Sequence, residues 1–385
     1  MRVLHIVSSL DSVYGGQPEA VKQLIMALAD LGHTSEIITL DNYMFSFPKD
    51  QNIIIHTLGP SLGKYNLNFK LIPWLSKNAR NFDAVICHGI WQFQSLATWL
   101  ASGAGQYSFF VYVHGALDPW FKYTYPIKHL KKWAYWPWAE YNVLKYAAGV
   151  LFTSEGEKLE APKSFCLYKA NAFVVKSGIQ TPEGNAVQQR ELFLSKFPGL
   201  NSKKILLFLG RIHPIKGCDN LVKAFANIAV NHPNLQLVVA GPDVIGWTST
   251  LMDLAKTMGI NDQITWAGML EGGLKWGALH MAACLVLPSH TENFGIVVAE
   301  ALSCGTPVII TNKVNIWSDI QKENAGYVCE DTLDGLNHSL KLWMDQDILE
   351  IETMRQNAQR CFNKHFDIHK NAEELVKTIQ ETLKK

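Results

Sequence analysis

The chain of 385 residues is short of charge. Lys, Arg, Asp and Glu make up only 18%, and 35 basic residues against 34 acidic ones leave a net charge of +1. A protein built to grip nucleic acid carries a basic excess, so this balance argues against nucleic acid as a partner. Cysteine pairs are missing as well. The seven Cys, at 87, 166, 218, 284, 304, 329 and 361, are odd in number, and no two form C-x-x-C. That argues against a disulfide framework or a metal centre and fits reduced thiols in a cytoplasmic protein. No apolar run reaches the roughly 18 residues that a membrane-crossing helix needs. The N-terminus meets Ser8, Ser9 and Asp11 too soon for a signal peptide, and reads as a first strand. No strand is followed by Gly-x-Gly-x-x-Gly; the nearest approach, Gly103-Ala104-Gly105, has Ser108 at the third glycine position. A nicotinamide or flavin enzyme is therefore the weaker alternative.

What is present is apolar bulk, 48% of residues, in a length that suits two domains. Short apolar runs alternate with helical patterns. Val3–Ser8, Ser35–Leu40, Ile53–Leu58, Ala84–Cys87, Phe109–His114, Gly149–Thr153 and Phe173–Val175 read as strands of a first half. Ile205–Gly210, Leu235–Ala240, Ile264–Trp266, Leu285–Pro288 and Val308–Thr311 read as strands of a second. The stretch Lys176–Ala186, with Gly178, Pro182 and Gly184, reads as the linker. The expected fold class is α/β, two Rossmann-like doubly wound domains, 1–178 and 179–366, with a last helix at about 367–385. Ligands of such sheets bind beyond the carboxyl ends of the strands, here in a cleft between the halves.

Four motifs carry chemistry. Pro288-Ser289-His290-Thr291-Glu292-Asn293-Phe294-Gly295 follows a strand and opens a helix that runs to Gly305. With Asn293 as the cap, the amides of Gly295, Ile296 and Val297 face an anion, and phosphate is the obvious one. Glu292 and Glu300 lie eight residues apart, roughly 12 Å along a helix, about the reach from a ribose to a hexose across a diphosphate. The same pattern also fits two glutamates on a solvated helix. Phe208-Leu209-Gly210 ends a strand, and Arg211 and Lys216 follow in its loop, where cations can clamp a diphosphate or lie solvated. Gly15-Gly16 joins the first strand to the first helix, as a ligand approach or a plain turn. His114, after Val111-Tyr112-Val113, can bond a sugar, move a proton or serve the core.

Taken together, Gly210-Arg211, Lys216-Gly217, Ala240-Gly241-Pro242 and Glu292 through Glu300 resemble the nucleotide-sugar half of the GT-B fold. More closely, they resemble family 4 of the retaining glycosyltransferases, of the kind found in bacterial polysaccharide synthesis. The resemblance covers nearly the whole chain, and it implies that the last helix, about 367–385, crosses back to the first, acceptor-side domain. It implies that Arg211 and Lys216 hold the diphosphate with Gly15, Gly16 and the amides of Ile296 and Val297. It implies that Glu300 holds the ribose, that Glu292, with the backbone at Asn293, Phe294 and Gly295, holds the donor hexose, and that Gly268 and Met269 meet the base. His114, Arg211, Lys216 and Glu292 become the expected catalytic set. The resemblance further implies retention at the anomeric carbon, no cofactor and no metal. The one Asp-x-Asp, Asp345-Gln346-Asp347, lies in a polar helical stretch and reads as a solvated face.

Trp120 to Trp138 holds eight aromatics and four lysines without one acid from Pro119 to Ala139. Aromatic rings favour membrane interfaces and lysines attract anionic headgroups. Trp120, Lys131, Lys132, Trp133 and Trp136 are thus the expected acceptor or membrane face; packing into the core and stacking on sugars remain open for the rings. The expected function is transfer of a hexose, glucose first, from a UDP-sugar to a saccharide or lipid-linked saccharide. The expected location is cytoplasmic, peripheral at the inner face of the membrane. A non-catalytic sugar- or nucleotide-binding protein of the same fold is the alternative.

Overall fold

The computed structural model describes residues 1–11, 16–42, 53–103 and 105–384. They divide into two compact units. Unit 1 is Met1–Gln180 with Ile368–Lys385, and unit 2 is Thr181–Asp367. The division falls two residues beyond the expected 178/179 boundary.

Unit 1 is built on seven parallel strands: β1 (Arg2–Val7), β2 (Thr34–Thr39), β3 (Ile54–Thr57), β4 (Ala84–His88), β5 (Phe109–Tyr112), β6 (Gly149–Phe152) and β7 (Ala172–Val174). Their order is β3-β2-β1-β4-β5-β6-β7. β4 reads Ala-Val-Ile-Cys-His with every residue buried, as a parallel strand covered on both faces must. The helices are α1 (Gly16–Asp30), α2 (Leu71–Asn78), α3 (Phe93–Ser102), α4 (Trp120–Thr124), α5 (Pro126–Tyr135), α6 (Glu140–Tyr146) and α7 (Glu155–Glu160). His114 is not on a strand, as its sequence suggested. β5 stops at Tyr112, and His114 adopts a left-handed φ of 52° in the turn beyond.

Unit 2 repeats the plan with β8 (Lys204–Leu209), β9 (Leu235–Ala240), β10 (Ile264–Gly268), β11 (Cys284–Leu287), β12 (Val308–Thr311) and β13 (Gly326–Cys329), in the order β10-β9-β8-β11-β12-β13. β13 has a short, half-buried pattern that the periodicity did not single out. The helices are α8 (Ala186–Lys196), α9 (Cys218–Ala229), α10 (Thr248–Thr257), α11 (Gly272–Met281), α12 (Ile296–Ser303), α13 (Trp317–Lys322), α14 (Leu333–Met344) and α15 (Ile348–His365). Asp347 caps α15 in a reciprocal capping box with Glu350, which accounts for half of the Asp-x-Asp pattern by local helix chemistry.

The final helix, α16 (Ile368–Leu383), belongs to unit 1. Ile368, Ala372, Leu375, Val376 and Ile379 form one apolar stripe, and it is buried against Val3, Leu24 and Leu28. Strand order reverses between β1 and β4 in unit 1 and between β8 and β11 in unit 2. Each reversal opens a crevice at the carboxyl ends of the strands.

Candidate functional site

In unit 2 the loops after β8 and β11 flank the reversal point, and they are pinned together. The amide of His290 donates to the carbonyl of Ile215 at 2.9 Å. Gly217, at φ +66°, lies so close to the carbonyl of Pro288 that a Cβ there would collide with backbone. The amide of Ile212 donates to Pro242 at 2.9 Å, and that of Gly241 to Gly268 at 2.8 Å, so the β9 and β10 ends join the same seam. Gly241 passes the carbonyl of Gly210 closely enough to exclude a side chain.

This packing brings Lys216 to Glu292, whose side chains form an ion pair with 13% and 21% of their surfaces exposed. Glu292 is held by its backbone as well. Its amide donates to Lys313 at 3.0 Å and its carbonyl accepts from Asn315 at 3.0 Å. Arg211 stands exposed at the end of β8 and forms no ion pair among the described residues. Glu300, 8% exposed on α12, pairs with Lys275 of α11 at 2.7 Å. Nothing in the sequence pattern singled out Lys275, because its partner is 25 residues away and only the packing of α11 on α12 joins them.

Two expectations for this unit need correction. Asn293 is not the helix cap: α12 begins at Ile296, and Gly295, at φ 70°, holds the cap position. The eight-residue rise from Glu292 to Glu300 therefore does not apply, since only Ile296 onward is helical. The Phe294 ring is buried, edge-to-face on Phe366. Helix geometry does leave the amides of Ile296 and Val297 without an acceptor inside α12. Gly268 and Met269 are both exposed at the end of β10. Among the described residues, no three or more His, Cys, Asp or Glu are grouped to hold a metal ion.

In unit 1 a row of histidines runs from His5, inside β1, through His88, the last residue of β4, to His114 just beyond β5. His5 Nδ1 lies 3.0 Å from His88 Nε2, and His88 Nδ1 lies 3.2 Å from His114 Nε2. Burial pushes His5 down to about 3 and His114 down to about 4. Burial, and then its two histidine neighbours, hold His88 well below its ordinary value. The rings are therefore neutral at ordinary pH. The sequence pointed to His114 alone. Two buried glutamates brace the surrounding turns. Glu157 accepts from the amides of Gly115 and Thr153 at 2.5 and 2.7 Å. Glu140 accepts from the Trp91 amide at 2.7 Å and the Ser95 hydroxyl at 2.8 Å. Gly16 opens α1, with its backbone exposed; Gly15 lies outside the described residues.

The aromatic, basic segment divides into two sides. Trp136 is fully buried, stacked on Phe165 with ring centres 4.2 Å apart, and its indole donates to Leu167. It is core and cannot meet a membrane. Lys132 is drawn inward too, its Nζ 4.5 Å from the centre of the Trp91 ring, and desolvation lowers it to about 8. Lys131 is exposed, Trp133 is 39% exposed, and Trp120 is half-buried against Phe121 and Tyr125. Tyr123, Ile127 and Leu130, each more than 70% exposed, complete the outer face.

Two family models match this chain: Glycosyltransferase Family 4 over residues 14–182, and Glycosyl transferases group 1 over residues 191–360. The chain belongs to glycosyltransferase family 4. Among the curated relatives of this family 4 chain is the D-inositol 3-phosphate glycosyltransferase of Actinosynnema mirum, 33% identical over 165 residues. That match covers 39% of this chain and 38% of the relative. Another is the N-acetyl-alpha-D-glucosaminyl L-malate synthase of Bacillus anthracis, 31% identical over 150 residues, 38% of each chain. The match thus spans well under half the length of these relatives. Among solved structures, Anabaena HepE in complex with UDP and glucose superposes with a TM-score of 0.76 at 15% identity, over 99% of this chain and 100% of that one. Likeness at that identity speaks for the GT-B fold.

Proposed function

We propose that the chain is a hexosyltransferase that uses a UDP-sugar, with glucose the first hexose to test. The observation that carries this reading is the contact of Lys216 with Glu292 across the β8 and β11 loops. It puts an ammonium and a carboxylate beside the first amides of α12, the set a sugar diphosphate asks for: cation and N–H groups for the phosphates, carboxylate for vicinal hydroxyls. Arg211 supplies the second cation and Glu300 the ribose acceptor in this assignment. HepE, the fold neighbour, was crystallised with UDP and glucose, which supports the choice of donor.

The reaction consistent with this set is a front-face substitution. The anomeric carbon–oxygen bond to the diphosphate breaks, the acceptor oxygen bonds the same face, and the acceptor proton passes to the leaving phosphate oxygen. Arg211 and Lys216 take up the charge that develops on the diphosphate. This chemistry needs neither metal nor cofactor, so EDTA is expected to leave turnover unchanged. The acceptor is a saccharide or lipid-linked saccharide. The outer face of α4 and α5 supplies a surface for an anionic membrane, with Lys128 and Lys131 outward and Tyr123, Ile127 and Leu130 beside them.

A thermal-shift screen of nucleotide sugars followed by donor hydrolysis tests the reading. UDP-glucose should raise the melting temperature, and both Arg211→Ala and Glu300→Ala should abolish the shift and the hydrolysis. Unchanged activity in both variants would overturn the site. A shift without turnover would point to the non-catalytic sugar-binding alternative. A glycosyl–enzyme adduct in the mass spectrum would overturn the front-face route.

A further inference from the structure

The histidine row of unit 1 is a hydrogen-bonded chain with a direction. The His5 and His88 ring centres are 5.3 Å apart with planes tilted by 20°, and those of His88 and His114 are 5.5 Å apart and tilted by 22°. These separations exceed the N···N distances of 3.0 and 3.2 Å by about one imidazole width. The rings therefore meet edge to edge and nearly coplanar. That aims each ring N–H at the lone pair of the next nitrogen. A neutral imidazole has one donor and one acceptor nitrogen, so the whole chain must point one way or the other.

The inner end selects the direction. His5 is 0% exposed, and its Nε2 has no hydrogen-bond partner among the described residues. If the protons ran inward, His5 Nε2 would carry an orphaned buried N–H, a rare and costly defect. If they run outward, His5 and His88 both donate from Nδ1, and His5 Nε2 is left with only a lone pair. His114 then accepts at Nε2 and must carry its own proton on Nδ1. At the outer end His88 and His114, with Val21, Leu24, Tyr112 and Lys176, line a cavity of about 10 Å³, room for roughly one water. His114 also keeps a left-handed backbone that few non-glycine residues adopt, braced by Glu157 through the next amide.

The geometry points to His5 and His88 as positioning residues that fix the proton of His114 on Nδ1, so that His114 offers a neutral hydrogen-bond donor, and not a general base, to a ligand at the carboxyl ends of the unit 1 strands. That this ligand is a transferase substrate rests on the reading above; the tautomer does not.

Selective ¹⁵N-histidine labelling of the full chain, with long-range proton–nitrogen correlation, reads the tautomer without substrate. His114→Asn assigns the signals. In the parent, His114 should show the Nδ1–H pattern. His5→Asp, read at pH 8, puts an ionised carboxylate acceptor at the inner end; His88 then donates from Nε2, the chain reverses, and His114 should show the Nε2–H pattern. In His5→Asn the side-chain amide replaces Nδ1–H, and the Nδ1–H pattern should be kept. Donor hydrolysis should follow, with kcat down about tenfold and KM unchanged in His5→Asp, and both near parental in His5→Asn. An Nε2–H pattern at His114 in the parent, or an unaltered tautomer in folded His5→Asp, overturns the inference. If His5→Asp fails to fold, the parent spectrum together with His5→Asn still decides it. A parent with no donor turnover but a single Nδ1–H tautomer would sink the transferase reading and leave the relay standing.

Discussion

Glu140 offers a test whose size follows from the geometry. Its side chain is wholly buried; among the described residues Oε1 takes two hydrogen bonds, and Oε2 takes none. Burial raises the carboxyl from 4.5 to about 7, against the opposing pull of the Ser95 hydroxyl, the Trp91 amide and Lys132. The native state then binds a proton that the unfolded chain has released, so stability falls as pH rises from about 4.5 to about 7. At 1.36 kcal/mol per pH unit the full penalty is about 3 kcal/mol, of which about 2 kcal/mol develops between pH 5 and pH 7.5. Lys132 does not cloud this window, because it is charged in both states until pH nears about 8. Glu140→Gln keeps the acceptor for Trp91 and Ser95 but puts an unpartnered N–H where Oε2 stood. That costs about 1–3 kcal/mol at every pH. The prediction concerns the slope. Urea unfolding of parent and variant, compared at each pH so that other titrations cancel, should show the variant gaining about 2 kcal/mol on the parent from pH 5 to pH 7.5. Parallel curves would refute a buried, proton-binding Glu140.

Three further outcomes are expected. Gly217→Ala combines a left-handed φ with a collision at the Pro288 carbonyl. It should destabilise unit 2 by about 2 kcal/mol or more and weaken UDP-sugar binding in the thermal-shift assay, because the Lys216 loop loses its seat. Asp347→Ala removes a cap and should cost about 1 kcal/mol in thermal unfolding while leaving donor hydrolysis intact; lost hydrolysis would revive the Asp-x-Asp as a metal motif. Lys128→Glu/Lys131→Glu should reduce sedimentation with anionic liposomes and leave neutral liposomes unaffected, and equal pelleting of parent and variant would remove the membrane face.

Much of the architecture was readable because its signals are local. An apolar run such as Ala84–Cys87 buries itself in a parallel strand wherever it lies, and Leu333–Met344 carries its own helical stripe. Strand ends locate loops, so Arg211, Lys216 and Glu292 are placed in loops after strands by sequence alone, whereas the run Phe109–His114 hides that the strand stops at Tyr112. The helix start at Gly295 was missed because a glycine in the left-handed region can cap without a side chain, and composition does not encode φ.

Sequence order alone set the alternation of strand and helix, the two units and the placing of the loops after β8 and β11, since each depends on residues within a few positions of one another. Tertiary packing decided what depends on residues far apart. His5 meets His88 across 83 positions, Glu140 reaches the Trp91 amide across 49, and Lys275 finds Glu300 across 25. Packing also took Trp136 and Lys132 out of the basic aromatic island and left Ile127 and Leu130 on its surface. Burial and hydrogen-bond direction are properties of the surroundings of a side chain. They exist only once the neighbouring β4 and β5 ends bring three histidines into line.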